Sequence, residues 1–279
     1  MGHITVPSEN SRAVELYYED HGDRHAPPVI LIHGYLLDGH TWEQQTQALL
    51  GAGYRVIIYD RRGFGRSSRP VVDHGYDTFA NDLDVIIDAL RLSDVMLVGF
   101  SMGIGEIARY LARYGSQNVK KVAFLAPMEP FVPKPADNRS AVGRWNLDGA
   151  AGTASKDRYA YFTRFFADLY DHDISSDGNC DTGTSKRMPA ASASGCTSVA
   201  SAASWREGFR EDVAGIDVPA LIVQGTDDRI LPIDISRRAF AEALPSAAFV
   251  EIEGAPHGLL RTHADEVNKE LVHFLADES

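Results

Sequence analysis

The sequence predicts an α/β protein with an open, mostly parallel sheet, and its apolar pattern indicates this fold class. Residues 29–32 and 56–59 are continuously apolar, as in parallel strands that are covered on both faces. A helix predicted from about residue 41 to residue 50 separates these two strands. Strand, helix and strand in alternation is typical of a parallel sheet with helices on its faces.

The N-terminal half of the chain contains a predicted hairpin and a glycine-rich loop. Residues 4–6 and 14–18 alternate or are apolar and lead into a polar turn, which predicts a hairpin at the sheet edge. Residues 60–68 read DRRGFGRSS. This loop lacks the glycine and lysine spacing of phosphate-binding loops, so we interpret it as a structural turn. A helix is predicted at residues 77–90.

The chain is organised around residues 95–105, where an apolar strand runs into a G-x-S-x-G turn and then a helix. Gly99 and Gly103 flank Ser101 at the two positions that must be nearly free of side chain for such a turn to close. The turn places Ser101 at a helix N-terminus, where unsatisfied backbone N–H groups favour negative charge on an attacked carbonyl oxygen. We therefore expect Ser101 to be a nucleophile.

The alternation of strands and helices continues to a strand at residues 122–125 and then breaks. A proline cluster, an aromatic helix at residues 158–170 and a run rich in Ser, Ala and Gly at residues 171–204 follow. Phe162 and Phe166 lie on one face of the aromatic helix, which suits packing, a binding pocket, or both. This region is interpreted as a lid.

The regular pattern resumes after the lid. Strands are predicted at residues 219–224 and 248–250, and helices at residues 235–244 and 264–275. We therefore assign residues 1–126 and 216–279 to the core and residues 127–215 to the lid insertion.

Composition limits the partners of the protein. The chain has 279 residues, of which 44% are hydrophobic, and a formal net charge of −12, which suits a soluble protein and argues against nucleic acid or an anionic membrane as a partner. No apolar run approaches the length of a membrane span, and the N-terminus lacks a signal-peptide pattern, so a cytoplasmic protein is expected. Cys180 and Cys196 lack metal-ligand spacing; two free thiols are expected there, with a disulfide as the alternative.

The surroundings of Ser101 decide whether it can react. A serine hydroxyl needs a base within hydrogen-bond reach and a third group that orients the base. In an open α/β sheet such groups collect at the carboxyl ends of the strands. Asp227 and Asp228 follow one predicted strand and His257 follows the last one. The chain order is therefore serine, aspartate and histidine, with two candidate aspartates.

Five stretches, at residues 33–35, 60–67, 99–103, 225–232 and 256–258, together make the chain resemble serine hydrolases of the α/β-hydrolase fold. The branch that it most resembles contains cofactor-free haloperoxidases (perhydrolases) and aryl esterases. The resemblance covers nearly the whole chain and is weakest in the lid. It implies an eight-stranded, mostly parallel sheet with helices on both faces, a helical lid inserted after the sixth strand, and no cofactor or metal.

The resemblance also implies roles for single residues. Ser101 is the nucleophile, His257 the general base and acid, and Asp228 the orienting carboxylate, preferred to Asp227 because an apolar pair and a proline follow it in the family pattern. The backbone N–H groups of Tyr35 and Met102 form the oxyanion hole, and His33 is a structural loop residue. The implied pocket is apolar and aromatic, with Tyr35, Leu36, Met102, Phe131, Phe162, Phe166, Ile230 and Leu231.

The expected activity is hydrolysis of small carboxylic esters, or of lactones or lactams, through an acyl-enzyme on Ser101. The alternatives are a perhydrolase that uses hydrogen peroxide, a carbon–carbon bond hydrolase, and an inactive binding module. Good perhydrolases of the resembled branch usually have proline where this chain has Leu36, and proline would fix φ there. The esterase is therefore ranked first. A small-molecule ester is the expected partner, and homo-oligomer formation is left open.

Overall fold

The computed structural model describes residues 1–6, 13–128, 157–171 and 208–277. An eight-stranded sheet lies at the centre of these residues. Its strands are β1 (Gly2–Val6), β2 (Val14–His21), β3 (Pro28–Ile32), β4 (Arg55–Tyr59), β5 (Val95–Phe100), β6 (Val119–Leu125), β7 (Ala220–Gly225) and β8 (Ala248–Ile252). The spatial order is β1-β2-β4-β3-β5-β6-β7-β8. Pairs β1–β2 and β2–β4 are antiparallel and the remaining pairs are parallel, which confirms the predicted fold class.

The described residues also form eight α-helices. They are α1 (Glu43–Gly51), α2 (Tyr76–Ala89), α3 (Gly103–Tyr114), α4 (Arg158–Leu169), α5 (Arg210–Ala214), α6 (Ile233–Ala243), α7 (Leu259–Thr262) and α8 (Ala264–Ala276). α1 packs against α8, whereas α2, α3, α5 and α6 pack against one another in turn. In the part of the chain that the structure describes, no helix is both long enough and apolar enough to cross a membrane.

Burial follows the apolar pattern of the strands. β4 and β5 are buried along their whole length, as continuous apolar runs require, whereas half-buried and exposed positions alternate in the edge strand β1 up to the buried Val6. The helix that was predicted from about residue 41 begins as an α-helix only at Glu43. A turn of 3-10 helix at Gly39–Trp42 precedes α1, and the Asp38 carboxylate accepts a hydrogen bond from the His40 N–H to start it.

The order of the strands creates a crevice at their carboxyl ends. From β3 the chain crosses to β4 on one side, and from β4 it returns to β5 on the other side of β3. Ligands of open α/β sheets bind where the winding direction reverses in this way. The loop that begins at His33 and the turn at Ser101 both start at this point.

Candidate active site

Ser101 occupies a strained turn between β5 and α3. Its φ of 52° lies in the left-handed region, which costs free energy for a residue with a Cβ. Its N–H donates to the Leu125 carbonyl at the end of β6, over 3.0 Å. A Cβ at Gly103 would lie 2.6 Å from the Ile32 carbonyl oxygen, and one at Gly99 would lie 2.8 Å from Ile107 Cδ1. The backbone contact therefore requires glycine at position 103, whereas at position 99 the Ile107 side chain would have to move.

A chain of hydrogen bonds joins Ser101, His257 and Asp228. His257 Nε2 lies 3.0 Å from Ser101 Oγ, and His257 Nδ1 lies 2.7 Å from Asp228 Oδ2. All three residues are buried, and Ser101 retains the largest exposed fraction, 9%. Asp227 is exposed, and its Oδ1 accepts from the Thr226 hydroxyl instead. The fold therefore brings Asp228 rather than Asp227 to the histidine, in a geometry suited to proton transfer from serine.

Hydrogen bonds fix the Asp228 carboxylate on both of its oxygens. Oδ1 accepts from the backbone N–H groups of Ile230, over 2.9 Å, and Leu231, over 2.7 Å. Oδ2 accepts from Gln224 Nε2, over 2.8 Å, in addition to His257. A side chain that accepts from this many donors is suited to carry negative charge. The loop after β7 thus holds Oδ2 towards the imidazole.

Gln224 was not singled out from the sequence. It is fully buried on β7, and its Nε2 bridges Asp228 Oδ2 and the Leu231 carbonyl, the latter over 3.0 Å. The available signal was an amide side chain in an otherwise apolar strand, four residues before the carboxylate. A buried amide in such a place needs a partner, and Asp228 is that partner.

Of the two residues assigned to an oxyanion hole, Tyr35 lies in the loop after β3 and Met102 lies in the serine turn. Tyr35 and Met102 are buried, and Met102 is the N-cap residue of α3, where the first N–H groups of a helix have no acceptor within the helix. Leu36, next to Tyr35, has a φ of 60°. Proline cannot adopt this value, so the observed loop is incompatible with proline at this position.

His33 has partners on both ring nitrogens, which agrees with its interpretation as a structural residue. Its Nε2 accepts from the Arg61 N–H over 3.0 Å, and its Nδ1 lies 2.8 Å from the Gly34 carbonyl. Burial, reinforced by the Arg61 charge, holds the pKa of His33 well below its ordinary value. The neutral imidazole therefore ties the loop after β3 to the loop after β4.

The loop at residues 60–68 forms a turn that is held by hydrogen bonds within the loop and to a neighbouring loop. The Asp60 carboxylate accepts from the backbone N–H groups of Gly39 and Arg66, each over 2.8 Å. The Gly63 N–H donates to the Ser68 carbonyl over 2.8 Å. Donors of the loop are thus used within the protein, in agreement with the predicted structural turn.

Helix α4 of the predicted lid spans the site. Phe162 and Phe166 are buried, as expected for their shared face, and Phe165 also packs edge-on against Tyr35, with 5.8 Å between ring centroids. At the other end of α4 the Leu169 carbonyl accepts from the Gly258 N–H over 2.7 Å, next to His257. Helical spacing of four did not reveal Phe165, since its contact depends on where the helix docks.

Some residues that the sequence analysis singled out lie in parts of the chain that the structure does not describe. Phe131, Cys180 and Cys196 lie outside the described residues, as does most of the run at residues 171–204. Within the described ranges, no group of three or more His, Cys, Asp or Glu side chains is arranged to hold a metal ion.

Comparison with known proteins identifies the family. Residues 27–264 match the family model for the alpha/beta hydrolase fold. The chain is 42% identical over 277 residues to a Synechocystis sp. protein provisionally named as a non-heme chloroperoxidase, with 99% of this chain and 100% of the relative covered. It is 29% identical over 301 residues to the bifunctional esterase/perhydrolase of Acinetobacter calcoaceticus, with 99% of each chain covered. The crystal structure of a bromoperoxidase from Bacillus anthracis matches with a TM-score of 0.87 at 36% identity, covering 99% of this chain and 100% of that chain. As its motifs predicted, the chain belongs to the α/β-hydrolase family of enzymes and has esterase and non-heme haloperoxidase relatives.

Proposed function

We propose that the protein hydrolyses small carboxylic esters through an acyl-enzyme on Ser101. The observation that carries this proposal is the hydrogen-bond chain from Ser101 Oγ through His257 to Asp228 Oδ2. It supplies a nucleophile, a base and an orienting carboxylate at the carboxyl ends of β5, β7 and β8.

The reaction divides into two proton-balanced halves. Ser101 Oγ attacks the ester carbonyl while His257 Nε2 takes the hydroxyl proton, and His257 then returns this proton to the leaving alcohol. Water next attacks the acyl-enzyme, gives a proton to His257, and the acid leaves as Ser101 regains the proton. Backbone N–H groups of Tyr35 and Met102 stabilise the oxyanion in both halves.

Apolar substrates fit the proposed binding residues. Met102 and the pocket residues that the structure describes are all buried, and they supply mostly aliphatic and aromatic surface: Tyr35, Leu36, Phe162, Phe166, Ile230 and Leu231. Such a lining favours a small ester with an apolar acyl or aryl group, or a lactone or lactam of similar size.

A perhydrolase is the second candidate because relatives are named for that activity or for haloperoxidase activity. It would use the same acyl-enzyme with hydrogen peroxide in place of water. The φ of 60° at Leu36 favours the esterase, since the chain lacks both the proline and the backbone conformation that proline imposes.

The decisive experiment measures p-nitrophenyl acetate hydrolysis with and without hydrogen peroxide, for the wild type and Ser101→Ala. We expect turnover without peroxide and a fall of at least about 10⁴-fold in the variant. Unchanged activity in Ser101→Ala would sink the proposal. Bromide oxidation that requires peroxide and acetate, and that exceeds ester turnover, would favour the second candidate.

A further inference from the structure

A buried arginine lies between the two loops that would form the oxyanion hole. Arg61 follows β4 and is fully buried. Its Nε donates to Glu106 Oε2 over 2.7 Å, and its Nη2 donates to the His33 carbonyl over 3.0 Å. Glu106 lies on α3, whereas His33 begins the loop that leads to Tyr35. One guanidinium therefore joins the helix of the nucleophile to the loop opposite it.

The surroundings of Arg61 fix its position. Glu106 is also fully buried, and its second oxygen accepts from the Tyr59 hydroxyl. The guanidinium carbon lies 4.9 Å from the centroid of the Phe79 ring, a cation–π arrangement. Because the guanidinium is planar and rigid, its two hydrogen bonds fix the distance between the groups that it joins. The desolvation of two buried charges offsets most of their attraction, so a buried ion pair adds little net stability. The geometry of the Arg61–Glu106 pair is therefore better evidence for its role than its contribution to stability.

We propose that Arg61 is a positioning residue that sets the separation between the Tyr35 N–H and the Met102 N–H of the oxyanion hole. This inference rests on the proposed function. Tyr35 is two residues from the His33 carbonyl, and Met102 is one helical turn from Glu106, so each half of the hole is close to one end of the Arg61 bridge. The loop after β3 and the N-terminus of α3 lie close together, since a Cβ at Gly103 would lie 3.1 Å from the His33 carbonyl oxygen.

Catalysis is sensitive to this separation. An oxyanion is stabilised only by donors about 2.7–3.1 Å from it, and the loss of one donor lowers kcat by about 10²–10³-fold. A shift of a few tenths of an ångström in either loop therefore weakens a hydrogen bond that the transition state makes and the bound ester does not.

The next residue along the chain provides a matched control. Arg62 and Asp82 form a second buried ion pair, with 2.5 Å between Nη2 and Oδ1. Asp82 lies on α2, so this pair has the same chemistry and burial but joins neither half of the oxyanion hole. Comparing the two pairs separates positioning from the general loss of a buried ion pair.

The test compares Glu106→Gln with Asp82→Asn, and Arg61→Lys with Arg62→Lys. For Glu106→Gln and Arg61→Lys, we expect kcat for p-nitrophenyl acetate to fall about 10- to 100-fold with KM changed less than about threefold. A trifluoromethyl ketone, which forms a tetrahedral adduct with an oxyanion on Ser101, should bind more weakly by a similar factor. The two controls should lower the melting temperature but leave kcat and inhibitor binding within about threefold.

Tyr59→Phe is a milder variant that tests the same bridge if Glu106→Gln and Arg61→Lys do not fold. It removes only the hydroxyl that binds Glu106 and should weaken the ketone without raising KM. Equal effects of the Arg61 and Arg62 variants on kcat and ketone binding, in a wild type that shows Ser101-dependent ester hydrolysis, would overturn the positioning role alone. A wild type without Ser101-dependent hydrolysis would overturn the proposed function and this inference together.

Discussion

The two ends of the site are held in place in different ways. Asp228, at the proposed acid–base end, is oriented by donors from its own loop and from Gln224 on the preceding strand. Tyr35, at the proposed oxyanion end, lies two residues after His33, which is bound by Arg61 and, through it, by Glu106 on α3. Local hydrogen bonds thus fix the acid–base end, and contacts between distant parts of the chain fix the oxyanion end.

This difference predicts that substitutions at the acid–base end act on proton transfer, and that substitutions at the oxyanion end act on transition-state binding. Each of the following changes tests one end.

The largest effect is expected for Asp228→Asn. An amide cannot stabilise the imidazolium that forms on His257, nor hold the imidazole in the reactive tautomer, so kcat should fall about 10⁴-fold. Asp227→Asn, a change at an exposed neighbour, should leave kcat within about twofold. Steady-state kinetics on one activated ester measures both. Equal losses in the two variants would contradict the assignment of Asp228.

A smaller effect is expected for Gln224→Leu. Asp228 Oδ2 then loses the Gln224 donor, so the carboxylate is held less firmly towards His257, and kcat for one activated ester should fall about tenfold.

Gln45→Leu is the matched control for Gln224→Leu. Gln45 is also fully buried, and its Nε2 donates to the Leu260 carbonyl over 2.9 Å. Its removal should lower the melting temperature and leave kcat within about threefold. An equal loss of kcat in both variants would mean that Gln224 has only a packing role.

Leu36→Pro tests the backbone of the oxyanion end. Because proline cannot keep the φ of 60°, the loop must rearrange, and kcat for ester hydrolysis should fall at least about tenfold relative to Leu36→Ala. The alanine variant controls for the loss of the buried leucine side chain. Equal kcat values in the two variants would show that the conformation of residue 36 does not set the activity.

The smallest expected effect concerns stability at low pH. Burial lowers the pKa of His33 well below the ordinary value of 6.5, so below that pH the unfolded chain binds a proton that the folded chain does not. The free energy of unfolding should therefore fall by up to about 1.4 kcal/mol per pH unit between 6.5 and the folded-state pKa. The pKa of His74 is also lowered by burial and adds to this slope.

Urea unfolding at several pH values measures this dependence. His33→Gln should flatten the curve below pH 6.5. A wild-type curve that does not fall on acidification would contradict a buried neutral His33.

Much of the fold and of the candidate site was predictable because the signals are local. Continuous apolar runs predicted β3 and β4, and the G-x-S-x-G spacing predicted the turn between β5 and α3. The chain order of Ser101, the two aspartates and His257 followed from residues at strand ends. The exact helix starts were not predictable, because a turn such as Gly39–Trp42 is decided by one capping contact.

The sequence by itself determined the fold class and the chain order of the candidate serine and histidine, since strand periodicity and turn chemistry depend on neighbouring residues. The tertiary structure decided which contacts join distant residues. It placed Asp228 rather than Asp227 against His257, Gln224 behind Asp228, Phe165 against Tyr35, and Arg61 between His33 and Glu106. These choices depend on how helices and loops pack on the sheet, and packing is a property of the whole chain that no single stretch of sequence contains.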